Sequence, residues 1–381
     1  MNDAPTIDPQ AQALAKRVDA ARAKTVAWFE SMRAPGMPAG VLRISHAHDV
    51  ARWPGILLPG TYNGVMCADL IGALPEIGLV APEHRAVLVA WLETFRRRDG
   101  VFRIPEMRDA DVFKKPDLAE TWRYIDFHIT NYTLGAIEAL TPERAPVLDF
   151  ARPYLDPTHL KAWLADRDLR DPWQEGNNIV NLAGFLLALE RHHGVEVGLS
   201  LDILFDWHER LQEPTTGFWG VGQHGDPMRM LHAMAGSMHN YHIWYARGRA
   251  LPNFDKAVAY CLSLPPRVDS ACIDVDVVDV LVHGLRAGVA PAERTRAWLR
   301  DILDAVLDAQ NPDGGFADIR AGTRRQDGWV CGYEEPQGLS NTFATWFRWI
   351  AIAMAAEILI PGARDWRFRR SIGIGYRAPP A

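Results

Sequence analysis

Three aspartates stand close together in one apolar segment of the sequence. Asp274 and Asp276 are two residues apart, and Asp279 follows Asp276 by about one helical turn. Carboxyl groups this close can share a proton, and a buried carboxylic acid with hydrogen-bond support can protonate a substrate. Asp274, Asp276 and Asp279 are therefore candidate catalytic residues. The structural alternative is that Asp274 caps a helix and that the other two aspartates make hydrogen bonds within the fold.

A second set of residues suits a hydroxyl-rich substrate. Glu334 and Glu335 precede an apolar segment and are either catalytic carboxylates or solvated loop charges. Carbohydrate hydrolases pair carboxylates across a cleft, and lyases and epimerases can use His, Tyr and Asn on an acidic sugar. The candidate substrate-binding residues are Trp122, Tyr124, Asp126, His128, Asn131, Trp173, Glu175, Asn178, Trp219, His239, His242, Trp329 and Tyr333. For each tryptophan, the alternative is that it fills a gap between helices.

Metal ligation is a third possibility for the histidines. His239 and His242 are one helical turn apart, and His128 could approach them in a closed fold. The sequence has no HExxH motif, its four cysteines form no CxxC pair, and it lacks a DDxxD motif, a Gly-rich phosphate loop and a GxSxG elbow. We predict no metal and no cofactor.

Two kinds of helical segment alternate along the chain. Segments such as the one that Pro291 opens have a single apolar stripe and end at a glycine followed by an aromatic residue, as at Gly100, Gly217 and Gly314. Six others are apolar on most faces and carry polar residues that we interpret as their N-terminal ends. These polar clusters lie at residues 61–63, 126–131, 175–178, 239–242, 274–276 and 340–342, with a mean step of about 56 residues.

This alternation predicts an all-α fold of concentric layers. A helix that is apolar all round is buried, whereas a helix with one stripe lies outside. Six such pairs predict a single-domain (α/α)6 toroid, in which six inner helix N-termini and their polar clusters meet at one mouth. We assign residues 1–40 to an N-terminal helical extension, 41–362 to the toroid and 363–381 to a solvated C-terminal tail.

Composition excludes several classes of partner. The formal net charge is −6 and the pI is about 6.1, which gives no electrostatic reason to bind nucleic acid. The N-terminus lacks a signal-peptide pattern, and no apolar run approaches the ~20 residues of a membrane span. We expect a cytoplasmic protein with a small-molecule or oligomeric organic substrate, and the oligomeric state is not indicated.

Two motifs resemble a known family. The segment from Gln310 to Phe316 resembles the QW-type repeat of squalene–hopene and related terpenoid cyclases, and the segment that begins at Asp274 resembles their DxDD motif, 36 residues before Gln310. Weaker repeats at Gln212 and Asp99 extend the similarity over most of residues 50–360. The resemblance implies the α/α toroid shared with protein prenyltransferase β subunits, and it implies that Asp276 is the general acid. Val277 stands where the motif has a further aspartate, and Asp279 could substitute for it.

The sequence thus supports one main hypothesis and two alternatives. The main hypothesis is a terpenoid-cyclase-like enzyme in which Asp276 initiates cyclisation or isomerisation of an unsaturated, isoprenoid-type substrate. The first alternative is a carbohydrate-active hydrolase, lyase or epimerase of the α/α-barrel type, which uses carboxylates and histidines at the mouth. The second alternative is a binding module without catalytic activity.

Overall fold

The chain is almost entirely helical in the computed structural model, which describes residues 9–110, 112, 117–220, 226–319 and 333–377. Isolated bridges, but no strands, occur among these residues. Twelve α-helices form in the described residues: Pro9–Ser31 (α1), Leu57–Leu70 (α2), Pro82–Glu93 (α3), Leu118–Leu140 (α4), Pro157–Ala165 (α5), Pro172–His193 (α6), Gly198–Leu211 (α7), Pro227–Arg247 (α8), Phe254–Ser263 (α9), Ala271–Arg286 (α10), Ala292–Asp308 (α11) and Thr342–Leu359 (α12). Short 3-10 helices cover Pro54–Ile56 and Asp149–Leu155.

Six of the helices form a closed inner ring. Helix α2 packs on α4, α4 on α6, α6 on α8, α8 on α10, α10 on α12, and α12 returns to α2. Helices α1, α3, α9 and α11 pack outside this ring, and α5 and α7 pack on each other and on the 3-10 helix beside α6. This arrangement confirms the predicted (α/α)6 toroid. The predicted domain boundaries stay predictions, although α1 packs on α11 and α12 as an outer helix of the ring.

The ends of the outer helices follow the glycine–aromatic pattern. Gly217 and Gly314 have φ values of 74° and 99°, in the left-handed region that favours glycine, and Phe316 is buried directly after the turn. The Gln310 side-chain amide donates to the carbonyl oxygens of Ala21 and Gly314. The QW-type repeat therefore has a structural role, because it ties the end of α11 to α1.

The predicted starts of two inner helices are wrong. Asp117 caps α4 by accepting from the backbone N–H of Glu120, and Asp226 caps α8 in the same way. Asp126 consequently lies about two turns inside α4, and His239 lies about three turns inside α8. These polar clusters are not helix caps at a mouth, because their side chains lie inside the ring.

The segment 366–376 closes the ring at the C-terminal ends of the inner helices. Trp366, Ile372, Ile374 and Tyr376 are buried, and the Arg369 guanidinium donates to the backbone oxygen and Oδ1 of Asn131 on α4. The prediction of a solvated tail is therefore wrong for this segment, because its apolar side chains pack against the ring and its arginine reaches an inner helix.

One described helix meets the length and composition of a membrane span. This helix is Thr342–Leu359, and 78% of it is buried within the protein. It packs between α2 and α10 as a member of the inner ring, which accounts for its apolar composition.

Candidate active site

The interior of the ring, here called the lumen, is lined by polar stripes on four neighbouring inner helices. Residues three or four apart lie on one helix face, so each stripe presents its side chains together. The stripes are Tyr124, His128 and Asn131 on α4, Asn178 and Asn181 on α6, His239 and His242 on α8, and Asp276, Asp279 and His283 on α10. All these side chains are buried.

Contacts between the inner helices show that these stripes meet inside the ring. Asn131 donates through Nδ2 to Oδ1 of Asn181, which joins α4 to α6. The rings of Tyr132 on α4 and Trp346 on α12, two helices that are not neighbours in the ring, lie 5.4 Å apart between centroids. The structure thus brings the side chains of these four helices together inside the ring, among them His128, Asn131, Asn178, His239, His242 and the α10 aspartates.

Asp276 and Asp279 are one turn apart, but their pKa values are shifted in opposite directions. Burial, together with the nearby Asp279 and Asp274 carboxyl groups, raises the pKa of Asp276 well above its ordinary value, which favours its neutral form. Burial alone would also raise the pKa of Asp279, but His283 and His242 against its carboxylate hold this pKa below its ordinary value. Two carboxyl groups whose pKa values are pushed apart in this way are suited to acid–base chemistry.

Asp279 also fixes the orientation of His242. The two side chains are hydrogen-bonded, with 3.1 Å between His242 Nε2 and Asp279 Oδ2. An ionised carboxylate only accepts hydrogen bonds, so in the neutral form of His242 the proton lies on Nε2 and Nδ1 is an acceptor. On the other side of Asp279, His283 Nδ1 lies 3.1 Å from Oδ1, and its ring stacks on Tyr245 at 4.0 Å.

Asp274 has a structural role instead. It forms a buried ion pair with Arg348 of α12 and accepts from the backbone N–H of Asp269. Burial raises the pKa of Asp274 to about 6, although the Arg348 charge opposes this rise. Arg348 also donates to the backbone oxygen of Asp318. The three predicted catalytic aspartates therefore have different environments. Asp274 is in an ion pair, Asp276 is a buried acid with a raised pKa, and Asp279 is a carboxylate that contacts two histidines.

The remaining lumen histidines are neutral. Burial and the neighbouring His242 lower the pKa of His239 to about 3. Burial, His239 and Arg369 lower the pKa of His128 well below its ordinary value. Neutral imidazoles can accept protons from a substrate. No group of three or more His, Cys, Asp or Glu in the described part of the chain is arranged to hold a metal ion.

In the first turns of α4, Trp122 lies beside Asp126 and its partner Arg103, which precedes the helix. Arg103 donates through Nε to Asp126 Oδ1 at 2.7 Å, and its guanidinium lies 4.1 Å from the ring centroid of Trp122. Burial raises the pKa of Asp126, and Arg103 opposes the rise. The Trp122 indole N–H donates to Asp109.

A similar group stands at the start of α6. Arg167 bridges Glu120 of α4 and Glu175 of α6, with Nη1 2.9 Å and 3.2 Å from their Oε2 atoms. Asn178 donates to the same oxygen of Glu175. Trp173 lies 5.3 Å from the His232 ring of α8. Both groups place an indole near a carboxylate at the beginning of an inner helix.

Tyr333 and Glu335 form a third pair before α12. The Tyr333 hydroxyl donates to Glu335 Oε2 at 3.0 Å, and the Tyr333 ring lies 6.1 Å from Trp53. Burial raises the pKa of Glu335, and the hydrogen bond from Tyr333 opposes the rise. Glu334, by contrast, is exposed.

One of the predicted sugar-binding tryptophans, Trp219, is not available to this site. Trp219 is buried beside α7 and α8, and its indole N–H donates to the backbone oxygen of His208, so it fills the gap between helices. The prediction that Trp219 binds substrate is wrong for that reason. Trp329 lies outside the described residues.

Several residues of the site were missed in the sequence. His283 follows Asp279 by four residues, so helical spacing alone could have identified it. Arg348 is the only charged residue of the apolar helix α12 before Glu357. Its charge in an apolar segment could therefore also have identified it from the sequence. Arg103 and Arg167 lie outside the inner helices, and only the tertiary fold brings them to the carboxylates of α4 and α6.

Comparison with known proteins supports the fold class. No family model and no curated protein matches the chain. Among solved structures, a polysaccharide lyase is 13% identical with a TM-score of 0.50, over 91% of this chain and 97% of the lyase. A glycosyl hydrolase of family 88 from Bacteroides vulgatus is 11% identical with a TM-score of 0.47, over 92% of this chain and 99% of the hydrolase. At these identities the similarity concerns the fold.

The terpenoid-cyclase hypothesis is wrong. The α/α toroid that matches at a TM-score of 0.50 is a polysaccharide lyase rather than a terpenoid cyclase or prenyltransferase. The two motifs behind the hypothesis also have other roles in this structure. Gln310 ties two outer helices together, and Asp274 of the acidic motif is bound to Arg348.

Proposed function

We propose that this protein is a carbohydrate-active enzyme, a hydrolase or lyase that cleaves a glycosidic bond in an oligosaccharide bound in the lumen. One observation carries the proposal: the lumen holds buried polar atoms that have no hydrogen-bond partner among the described residues. These atoms are Tyr62 Oη, Asn178 Oδ1, Asn181 Nδ2, His239 Nδ1, His242 Nδ1 and both carboxyl oxygens of Asp276. Such atoms are costly to bury unless a ligand or water satisfies them, and a ligand rich in hydroxyl groups can do so.

The chemistry needs one acid and one base, and the lumen supplies both. Neutral Asp276 donates its proton to the glycosidic oxygen as the bond to that oxygen breaks. The free Nδ1 of His242, oriented through Asp279, accepts a proton. In hydrolysis the proton comes from the attacking water, and in elimination it comes from the sugar carbon next to a carboxylate. In both cases one proton enters the leaving group and one is taken up by the base.

Ligand binding and product analysis test this proposal. The protein is incubated with panels of neutral and uronic-acid oligosaccharides, its melting temperature is followed, and products are weighed by mass spectrometry. We expect at least one sugar to raise the melting temperature and to be cleaved. A gain of one water identifies a hydrolase, and an unsaturated product without added water identifies a lyase.

Asp276→Asn provides the decisive variant. Removal of a general acid reduces turnover by about 10²-fold or more, and the sugar should still bind. The control is Asp301→Asn, which changes an exposed aspartate of outer helix α11 and should leave turnover unchanged. Full turnover in Asp276→Asn, or no binding by any sugar, would contradict the proposal.

A further inference from the structure

A partly open cavity lies at the C-terminal ends of α4 and α6. It has a volume of about 120 Å³ and is lined by these helix ends, by residues of the loop after α4, by Ala246 of α8, and by Arg370, Ser371, Ile372 and Tyr376. Its inner walls are apolar, with Leu134, Phe185 and Ile372 among the lining side chains. An apolar cavity of about 150 Å³ is large enough to bind benzene in another protein. The size therefore suits a ligand with one compact apolar group.

The rim of this cavity carries more positive than negative charge. Arg144, Arg191 and Arg370 line it, and Glu138 is the carboxylate among its lining residues. Glu138 is already occupied: Oε1 accepts from Arg191, and Oε2 accepts from the backbone N–H and the hydroxyl of Ser371. Its charge is thus balanced within the protein rather than directed at a ligand.

Arg370 is the rim cation with the weakest partner. Its guanidinium lies 3.9 Å from Glu143, whose side chain is 97% exposed. Arg144 has a closer partner, with 3.1 Å between its Nη2 and Glu93 Oε1. A ligand anion at the rim can therefore bind Arg370 without first breaking a buried ion pair.

We propose that this cavity binds a small carboxylate with a compact apolar body, such as an aromatic acid. The apolar body would lie against Phe185 and Ile372, and the carboxylate would bind Arg370 at the rim. The cavity borders the lumen at Asn131, which lines the cavity and is hydrogen-bonded to Arg369 and Asn181. The proposal does not depend on the proposed function, because it concerns neither Asp276 nor the lumen histidines.

Calorimetric titration with three probes tests the ligand class. Benzoate has both the apolar ring and the carboxylate, benzyl alcohol has the ring alone, and acetate has the carboxylate with little apolar surface. We expect benzoate to bind measurably more tightly than either of the others. Absence of benzoate binding, or equal binding of acetate, overturns the proposal.

Two variants tie that binding to this cavity. Ala188→Phe places a ring in the space that the ligand needs and should abolish benzoate binding. Arg370→Gln removes the rim charge and should weaken binding by about tenfold. The control is Arg152→Gln, which changes an arginine of the Asp149–Leu155 3-10 helix that lies outside the cavity lining. Because Ala188→Phe could fail to fold, its helical content is measured first by circular dichroism, and Arg370→Gln stands as the independent variant. Unchanged binding in Arg370→Gln, or in a folded Ala188→Phe protein, overturns the proposal.

Discussion

At the scale of single residues, the lumen places two aspartates of one helix in opposite environments. Asp276 has no hydrogen-bond partner among the described residues, whereas Asp279 lies between His242 and His283. The sequence spacing predicted that these carboxyl groups act together. It could not predict their protonation states, because His242 lies 37 residues away from Asp279 and reaches it only when α8 packs on α10.

The raised pKa of Asp276 has a consequence for stability. Above its ordinary pKa of 3.8 the unfolded chain releases the Asp276 proton, whereas the folded protein retains it. The folded state then binds more protons than the unfolded state, so this residue lowers stability as pH rises from about 4 toward neutrality. We expect Asp276→Asn, which is neutral at every pH, to raise the free energy of unfolding at pH 7 by about 1–2 kcal/mol.

Urea unfolding at a series of pH values measures this effect. The free energy of unfolding of Asp276→Asn should exceed that of the wild type by an amount that grows from pH 4 to pH 7 and shrinks below pH 4. Asp301→Asn again serves as the control, because its exposed carboxylate gives no such trend. An advantage that stays constant with pH would show that the Asp276 carboxyl is not held neutral by the fold.

At the scale of helices, the sequence predicted which segments form the inner ring but not where two of them begin. Apolar composition identified all six, because a helix surrounded by protein must be apolar on most faces. Polar residues inside α4 and α8 resembled caps, because local sequence does not distinguish a cap from a polar side chain that points into a lumen. Asp117 and Asp226, the actual caps, each precede the first turn of their helix.

The buried ion pair between Asp274 and Arg348 joins α10 to α12. Removal of one partner leaves an uncompensated buried charge, so Arg348→Met should lower the free energy of unfolding by about 3–5 kcal/mol. Asp274→Leu should be destabilising for the same reason. The double variant leaves no unpaired charge and should lose less than the sum of the two single losses.

A double-mutant cycle in urea measures this coupling. The matched comparison is the exposed pair of Arg267 and Asp269, whose side chains are 68% and 57% exposed and whose coupling should be below about 1 kcal/mol. Additive losses for Arg348 and Asp274 would mean that the ion pair does not join the two helices energetically.

At the scale of the whole molecule, residues 366–376 close one end of the toroid. The sequence predicted the ring but treated residues 363–381 as a tail, because four arginines lie within residues 364–370 and resemble a solvated surface. The apolar residues that follow them decide the outcome, since Ile372, Ile374 and Tyr376 are buried against the ring.

Ile374 tests how strongly this segment holds the closed end. Its side chain is 1% exposed, so Ile374→Ala should lower the free energy of unfolding by about 2–5 kcal/mol. Val289→Ala is the control, since Val289 is 41% exposed and its truncation should cost about 0.5 kcal/mol or less. Equal losses in the two variants would show that residues 366–376 do not contribute to the stability of the ring.

The contact between α12 and α2 has a consequence for how the protein is made. Helices α1 and α2 are synthesised before the other described helices, yet α1 packs on α11 and α12 and α2 packs on α12, which follow them by more than 200 residues. The ring therefore cannot close between α2 and α12 until residue 359 has emerged from the ribosome. Contacts between such distant segments also form slowly. A nascent chain that stops before α12 should thus fail to bind a lumen ligand, even though most of the lumen residues are already present.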